Sequence, residues 1–211
     1  MGFEKTYNDS LIFIPEDPHM VKTENFEKVE IATQDQLREW LAAHHTQEEG
    51  VWLVTYKKSA PDKYVSTSQV LDELLCFGWI DGVRRKLDGD RTMQLITPRR
   101  AQHWSKTYKE RAAKLIEEGK MHEAGLQSIA ASKASGLWTF MDDVDNLVVP
   151  DDLAAALARY AHARTFFDAI NDSSKRFVLR WIKLAKTDKT RKNRLEKIAS
   201  LSSKGEKLKG S

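Results

Sequence analysis

The sequence holds a single cysteine, Cys76, which excludes an intrachain disulfide. It has no C-x-x-C pair and no paired Cys/His spacing, so no zinc site is expected, and a lone free thiol suits a reducing compartment. It also lacks G-x-G-x-x-G, G-x-x-x-x-G-K-[ST] and G-x-S-x-G. The usual signatures of a dinucleotide fold, a phosphate-cradling loop and a nucleophile elbow are therefore missing, and no cofactor is expected. Long apolar runs are missing too. Leu11-Ile12-Phe13-Ile14 stops at Pro15, Glu16 and Asp17, too short for a signal peptide or a membrane span, so the expectation is a cytoplasmic protein without membrane insertion.

What is present is ordinary globular material: 211 residues, 41% apolar and 31% charged. That suffices for one large domain or two small ones. The net charge of +3 conceals an uneven distribution. Residues 172–211 carry thirteen Lys/Arg against four Asp/Glu, and residues 84–120 carry eleven against five. Basic stretches of this kind attract anions, phosphates or nucleic acid, although a solvated helix face gives the same pattern. The aromatic residues of the tail, Phe177 and Trp181, fall on one apolar helical face rather than between the basic residues, so nucleic acid is not the expected partner.

Periodicity predicts a polar lead over residues 1–27 and an α+β domain over 28–141. Val29 to Ile31 and Val51 to Tyr56 read as strands, and Thr33-x-x-Gln36 and Ser66-x-x-Gln69 as capping boxes that open helices. Asp88-Gly89-Asp90 lies between two extended runs and predicts a hairpin, so the small sheet should be mostly antiparallel. Thr107 is expected to cap the next helix. Another helix, over about 122–136, should bury Leu126, Ile129 and Ala130 on one side. Residues 142–150 read as a linker, 151–204 as an all-helical region with Ser173 and Thr187 as caps, and 205–211 as a disordered tail.

Chemistry concentrates in Cys-Phe-Gly-Trp-Ile-Asp-Gly-Val-Arg at 76–84 and Thr-Pro-Arg-Arg-Ala-Gln-His-Trp-Ser-Lys at 97–106. In a regular strand Asp81 and Arg84 would lie on opposite faces, unless a bulge at Gly82 restores them to one. Arg99, Arg100, Trp104 and Lys106 lie before a helix N-terminus and could hold a carboxylate or phosphate. Two readings stay open: Asp81 and the arginines form an internal clasp, or they form a site for a small anionic ligand or an acidic protein segment. A general-base role for Asp81 is the enzymatic alternative. Cys76, at the C-terminal end of an apolar helix, is poorly placed to become a thiolate.

The C-F-G-W-I-D-G run, followed by T-P-R-R and W-S, resembles the YdeI-like family, also called the OmpD-associated or bacteriocin-protection family. The later Pro150-Asp151-Asp152-Leu153, Phe166-Phe167 and Trp181-Ile182 are similar to its C-terminal region. The resemblance extends over most of residues 29–205 and implies a family without an established reaction. Oligomeric state is not legible in the sequence.

Overall fold

The computed structural model describes residues 25–210. Most of the expected polar lead, together with Leu11 to Ile14, lies outside the described residues. The chain forms two compact units, one reaching to Gln102 and including Thr107–Gly136, the other made of His103–Lys106 and the chain from Leu137 onward.

The first unit contains a four-stranded mixed sheet of β1 (Lys28–Glu30), β2 (Val51–Tyr56), β3 (Trp79–Lys86) and β4 (Arg91–Pro98), in the order β1-β2-β4-β3. β1 runs parallel to β2, and the other two pairings are antiparallel. The α+β architecture and the mostly antiparallel sheet are as the sequence indicates. In β2, Val51 through Thr55 are buried, which is why this strand reads as a continuous apolar run rather than an alternating one. Pro98, which cannot donate to a ladder, ends β4 opposite Trp79. The flanking pair is closed instead by Arg99 N–H donating to the Gly78 carbonyl at 2.8 Å, so the proline occupies a position where no donor is needed.

Helix α1 (Gln34–His44) starts at Thr33, whose hydroxyl accepts the Gln36 N–H, and buries Leu37 and Leu41. Helix α2 (Thr67–Cys76) opens with both arms of the Ser66/Gln69 capping box. It ends at Gly78, whose φ of +72° is the left-handed conformation that lets the chain leave a helix and enter β3 at once. Helix α3 (Lys106–Glu117) buries Ala112 and Leu115 but leaves Ile116 exposed. Helix α4 (Glu123–Ala134) is capped by the His122 ring, which accepts the Ala124 N–H at 3.2 Å. Its buried face is Gly125, Ile129 and Ser132, with Leu126 exposed. This differs from the expected Leu126–Ile129–Ala130 face because a Cβ at Gly125 would lie 2.3 Å from the Cys76 carbonyl oxygen. Backbone contact with the end of α2 sets the rotation of α4, a preference that apolar periodicity does not record.

The second unit is helical: α5 (Asp142–Asp145), α6 (Asp151–Ala158), α7 (Ala163–Ala169), α8 (Asp172–Lys183) and α9 (Asp188–Ser203). Its core includes Leu153, Leu157, Phe167, Leu179, Ile182 and Ile198. Val144 belongs to the same core, with Leu147 and Val149 packed against it, so the stretch expected as a linker carries a helical turn and packed side chains, and Met141, expected at the end of the α+β domain, is buried in this core as well. Asn171, not Ser173, caps α8 by accepting the Ser174 N–H at 2.8 Å. Thr187 caps α9. Within the stretch expected as a disordered tail, Leu208 is buried against this core. Phe177, Trp181 and Leu184 pack on it from its margin, while Val178, Leu179 and Ile182 fill it.

Candidate functional site

Of the two arrangements open for β3, the bulged one is present. Asp81 pairs with Ile96 and Arg84 with Gln94, so three steps along β3 match two along β4. The extra residue puts Asp81 and Arg84 on the same face, where both meet Gln94.

Asp81 is only 2% exposed. Its Oδ1 accepts a hydrogen bond from the Tyr108 hydroxyl at 2.5 Å, and its Oδ2 accepts one from Gln94 Nε2 at 3.1 Å. Gln94, also buried, turns its Oε1 to accept from Arg84 Nη2 at 2.5 Å. The chain Tyr108–Asp81–Gln94–Arg84 thus converges on Asp81, with Tyr108 donating from one end and Arg84, through Gln94, from the other. A carboxylate only accepts, so the Gln94 amide must present its NH2 to Asp81 and its oxygen to the guanidinium.

Arg99 is buried, and its guanidinium lies 5.6 Å from the Tyr108 ring centroid. Burial lowers its pKa to about 10, although the Tyr108 and Asp81 charges act the other way. Burial also raises the Tyr108 phenol above the ordinary tyrosine value, and the Asp81 charge and hydrogen bond raise it further. Arg84 is exposed along β3. Desolvation of its head group lowers its pKa, opposed by the charges of Asp81 and Tyr64. Lys58 sits over the Tyr64 ring at 5.9 Å.

Arg100, Trp104 and Lys106 are not members of this four-residue chain. Arg100 is largely exposed and donates to the Glu48 carbonyl at 2.8 Å. Trp104 and Lys106 belong to the second unit. There Trp104 is buried beside Trp138, with ring centroids 4.9 Å apart, and the Lys106 backbone N–H donates to Asp145 Oδ2 at 2.8 Å. Asp145 therefore satisfies the start of α3, where the sequence suggested Thr107. Among the described residues no group of three or more His, Cys, Asp or Glu side chains is placed to hold a metal ion.

Sequence reasoning missed Tyr108 and Gln94. Both have ordinary local roles, one on a helix and one on a strand, and their polar ends meet Asp81 only through the fold. It also missed buried Glu73, which accepts from Arg38 at 2.8 Å and from Gln34 at 2.6 Å. Cys76, next to this pair, is buried, and burial together with the Glu73 charge raises its thiol pKa to about 11. In the second unit, Arg194 and Lys197 lie over the Trp181 ring at 4.9 and 5.8 Å. That aromatic face is occupied by cations.

Residues 146–205 match the family described as bacteriocin-protection, YdeI or OmpD-associated. Residues 29–128, which contain the C-F-G-W-I-D-G run, match a domain of unknown function (DUF8412). No curated protein and no solved structure is similar enough to the chain to count as a match. No helix among the described residues is long and apolar enough to cross a membrane.

Proposed function

We propose that the chain is a binding protein whose N-terminal unit takes an anionic group at Arg84, with Asp81 as a buried positioning residue. The observation that carries this reading is the direction of the hydrogen bonds from Arg84 through Gln94 to Asp81. Asp81 fixes the Gln94 amide, and Gln94 Oε1 holds one Arg84 N–H at 2.5 Å. A guanidinium has five N–H donors in a rigid fork, so the remaining ones stay available at the surface for a carboxylate or phosphate. Arg99 supports the site from beneath, through Tyr108, rather than touching the ligand.

A general-base role for Asp81 has less support. Both oxygens already accept hydrogen bonds and the residue is buried, whereas a base must reach the proton it removes. The family matched by the C-terminal part is described by protection and by association, which suits binding better than turnover.

The test is a titration of the arginine side-chain N–H resonances with glutarate, a simple dicarboxylate. Arg84 signals should move in the wild type, the glutarate affinity read from the Gln94 and Thr92 backbone amides should fall at least tenfold in Arg84→Gln, and it should weaken several-fold in Gln94→Leu. Unchanged affinity in Arg84→Gln would overturn the assignment.

A further inference from the structure

β3 is an edge of the sheet: it pairs with β4 on one side and with no other strand among the described residues. Its second half, Val83-Arg84-Arg85-Lys86, is exposed at every position. The hydrogen-bond phase of this half follows from the hairpin. Leu87 N–H donates to the Arg91 carbonyl, and Lys86 pairs with Thr92 and Arg85 with Met93. Bonded and non-bonded pairs alternate in an antiparallel ladder, so Arg85 faces β4, while the backbone N–H and C=O groups of Arg84 and Lys86 point outward.

An outward row of donors and acceptors is a template for another strand, and edges of this kind are ordinarily blunted by charge. Here three consecutive cations do the blunting. Their arrangement is selective: a second copy of the same strand would bring cation against cation, whereas an acidic strand would find opposite charge on both faces. Arg84 and Lys86 share the Gln94/Thr92 face. Arg85 lies on the other, with its guanidinium 5.0 Å from the Trp52 ring.

We propose that the free edge of β3 from Val83 to Lys86 receives an extended acidic segment of a partner protein by strand addition. Main-chain bonds to Arg84 and Lys86 would supply alignment, and the three cations would supply the choice of partner. The inference rests on Arg84 taking an anionic group and adds what carries that group.

The probe is a fluorescein-labelled, acetylated and amidated hexapeptide of alternating valine and glutamate, read by anisotropy with the full chain, with amide hydrogen exchange at Arg84 and Lys86 followed in parallel. Saturating peptide should slow exchange of those two amides at least tenfold. Arg84→Glu/Lys86→Glu should weaken binding at least tenfold. Lys86→Pro, which removes an outward donor without disturbing the β4 side, should weaken it more than Lys86→Gln does, with circular dichroism confirming that both variants fold.

Absence of binding at millimolar peptide, unchanged exchange at the two amides, or equal binding of the valine–lysine peptide would each overturn the proposal. So would a dimer in sedimentation that Arg84→Glu/Lys86→Glu dissolves, since the occupant would then be a second copy. Glutarate shifts at Arg84 without peptide binding would leave the anion site standing and remove strand addition. Slowed edge amides without glutarate shifts would do the reverse.

Discussion

The Tyr108 hydroxyl donates to Asp81 Oδ1 at 2.5 Å, joining a half-buried residue to a fully buried one 27 positions away. Removing the donor leaves a buried carboxylate oxygen without its partner, and such a loss costs about 1 to 3 kcal/mol. Tyr108→Phe should therefore lower the stability of the N-terminal unit by that amount in urea denaturation. It should also weaken glutarate binding at Arg84, because Asp81 is then less well held.

The same pair makes an alkaline prediction. Tyr108 has a raised pKa in the folded chain, so its contribution to stability is complete below the ordinary tyrosine value of ~10 and is lost as pH climbs above it. Arg99, lowered to about 10, acts with the opposite sign over the interval up to its ordinary value. Tyr108→Phe abolishes only the first effect. Between about pH 9.5 and 11.5 the variant should lose less stability than the wild type, measured by denaturation at fixed pH. A parallel loss in both proteins would show that Tyr108 does not govern this range.

Cys76 is buried, with a thiol pKa raised to about 11. Because the thiolate is the reactive form, the native protein should react with an aromatic disulfide reagent at pH 8 at least tenfold more slowly than the urea-unfolded chain. Equal rates would contradict the burial. In stability terms, the raised value contributes fully below the ordinary pKa of 9.0 and is lost as pH rises through about 11.

Gly125 is the contact point between α4 and the end of α2. Gly125→Ala places a methyl group 2.3 Å from the Cys76 carbonyl oxygen and 2.7 Å from that of Leu75. Both obstacles are backbone, so relief requires moving a helix, and overpacking of this kind costs about 1 to 3 kcal/mol. Thermal unfolding should show a clear drop, whereas Gly89→Ala, with no neighbouring atom within 4 Å, should change little.

Met141 is fully buried in the second core. Met141→Ala should cost about 2 to 5 kcal/mol in urea denaturation followed by C-terminal probes. A negligible change would mean that the stretch around α5 behaves as a connector after all.

Local chemistry was legible wherever one short segment decides its own conformation. Thr33, Ser66 and Thr187 cap their helices as their side chains require, and Asp88 closes the hairpin by accepting the Asp90 and Arg91 N–H groups at 3.0 and 2.8 Å. Faces set by distant backbone were not legible, as the rotation of α4 about Gly125 shows. The start of α3 was missed for the same reason: its donor is satisfied by Asp145, 39 residues away. At the candidate site, Asp81 and Arg84 stood out as charged residues on either side of the Gly82-Val83 step. Gln94 and Tyr108, which give that pair its geometry, have no local feature that distinguishes them from other strand and helix residues.

The bulge in β3 also stores one residue of slack. Because it inserts a single residue between Asp81 and Arg84, a deletion of Gly82 or Val83 would straighten the strand while leaving Arg84, Arg85 and Lys86 on the faces they now occupy. A deletion one step later, within Arg84–Lys86, would exchange the two faces for the residues that follow it. Tolerance of length change along this strand should therefore be confined to two adjacent positions, and a one-residue gap in any relative of this chain should fall there.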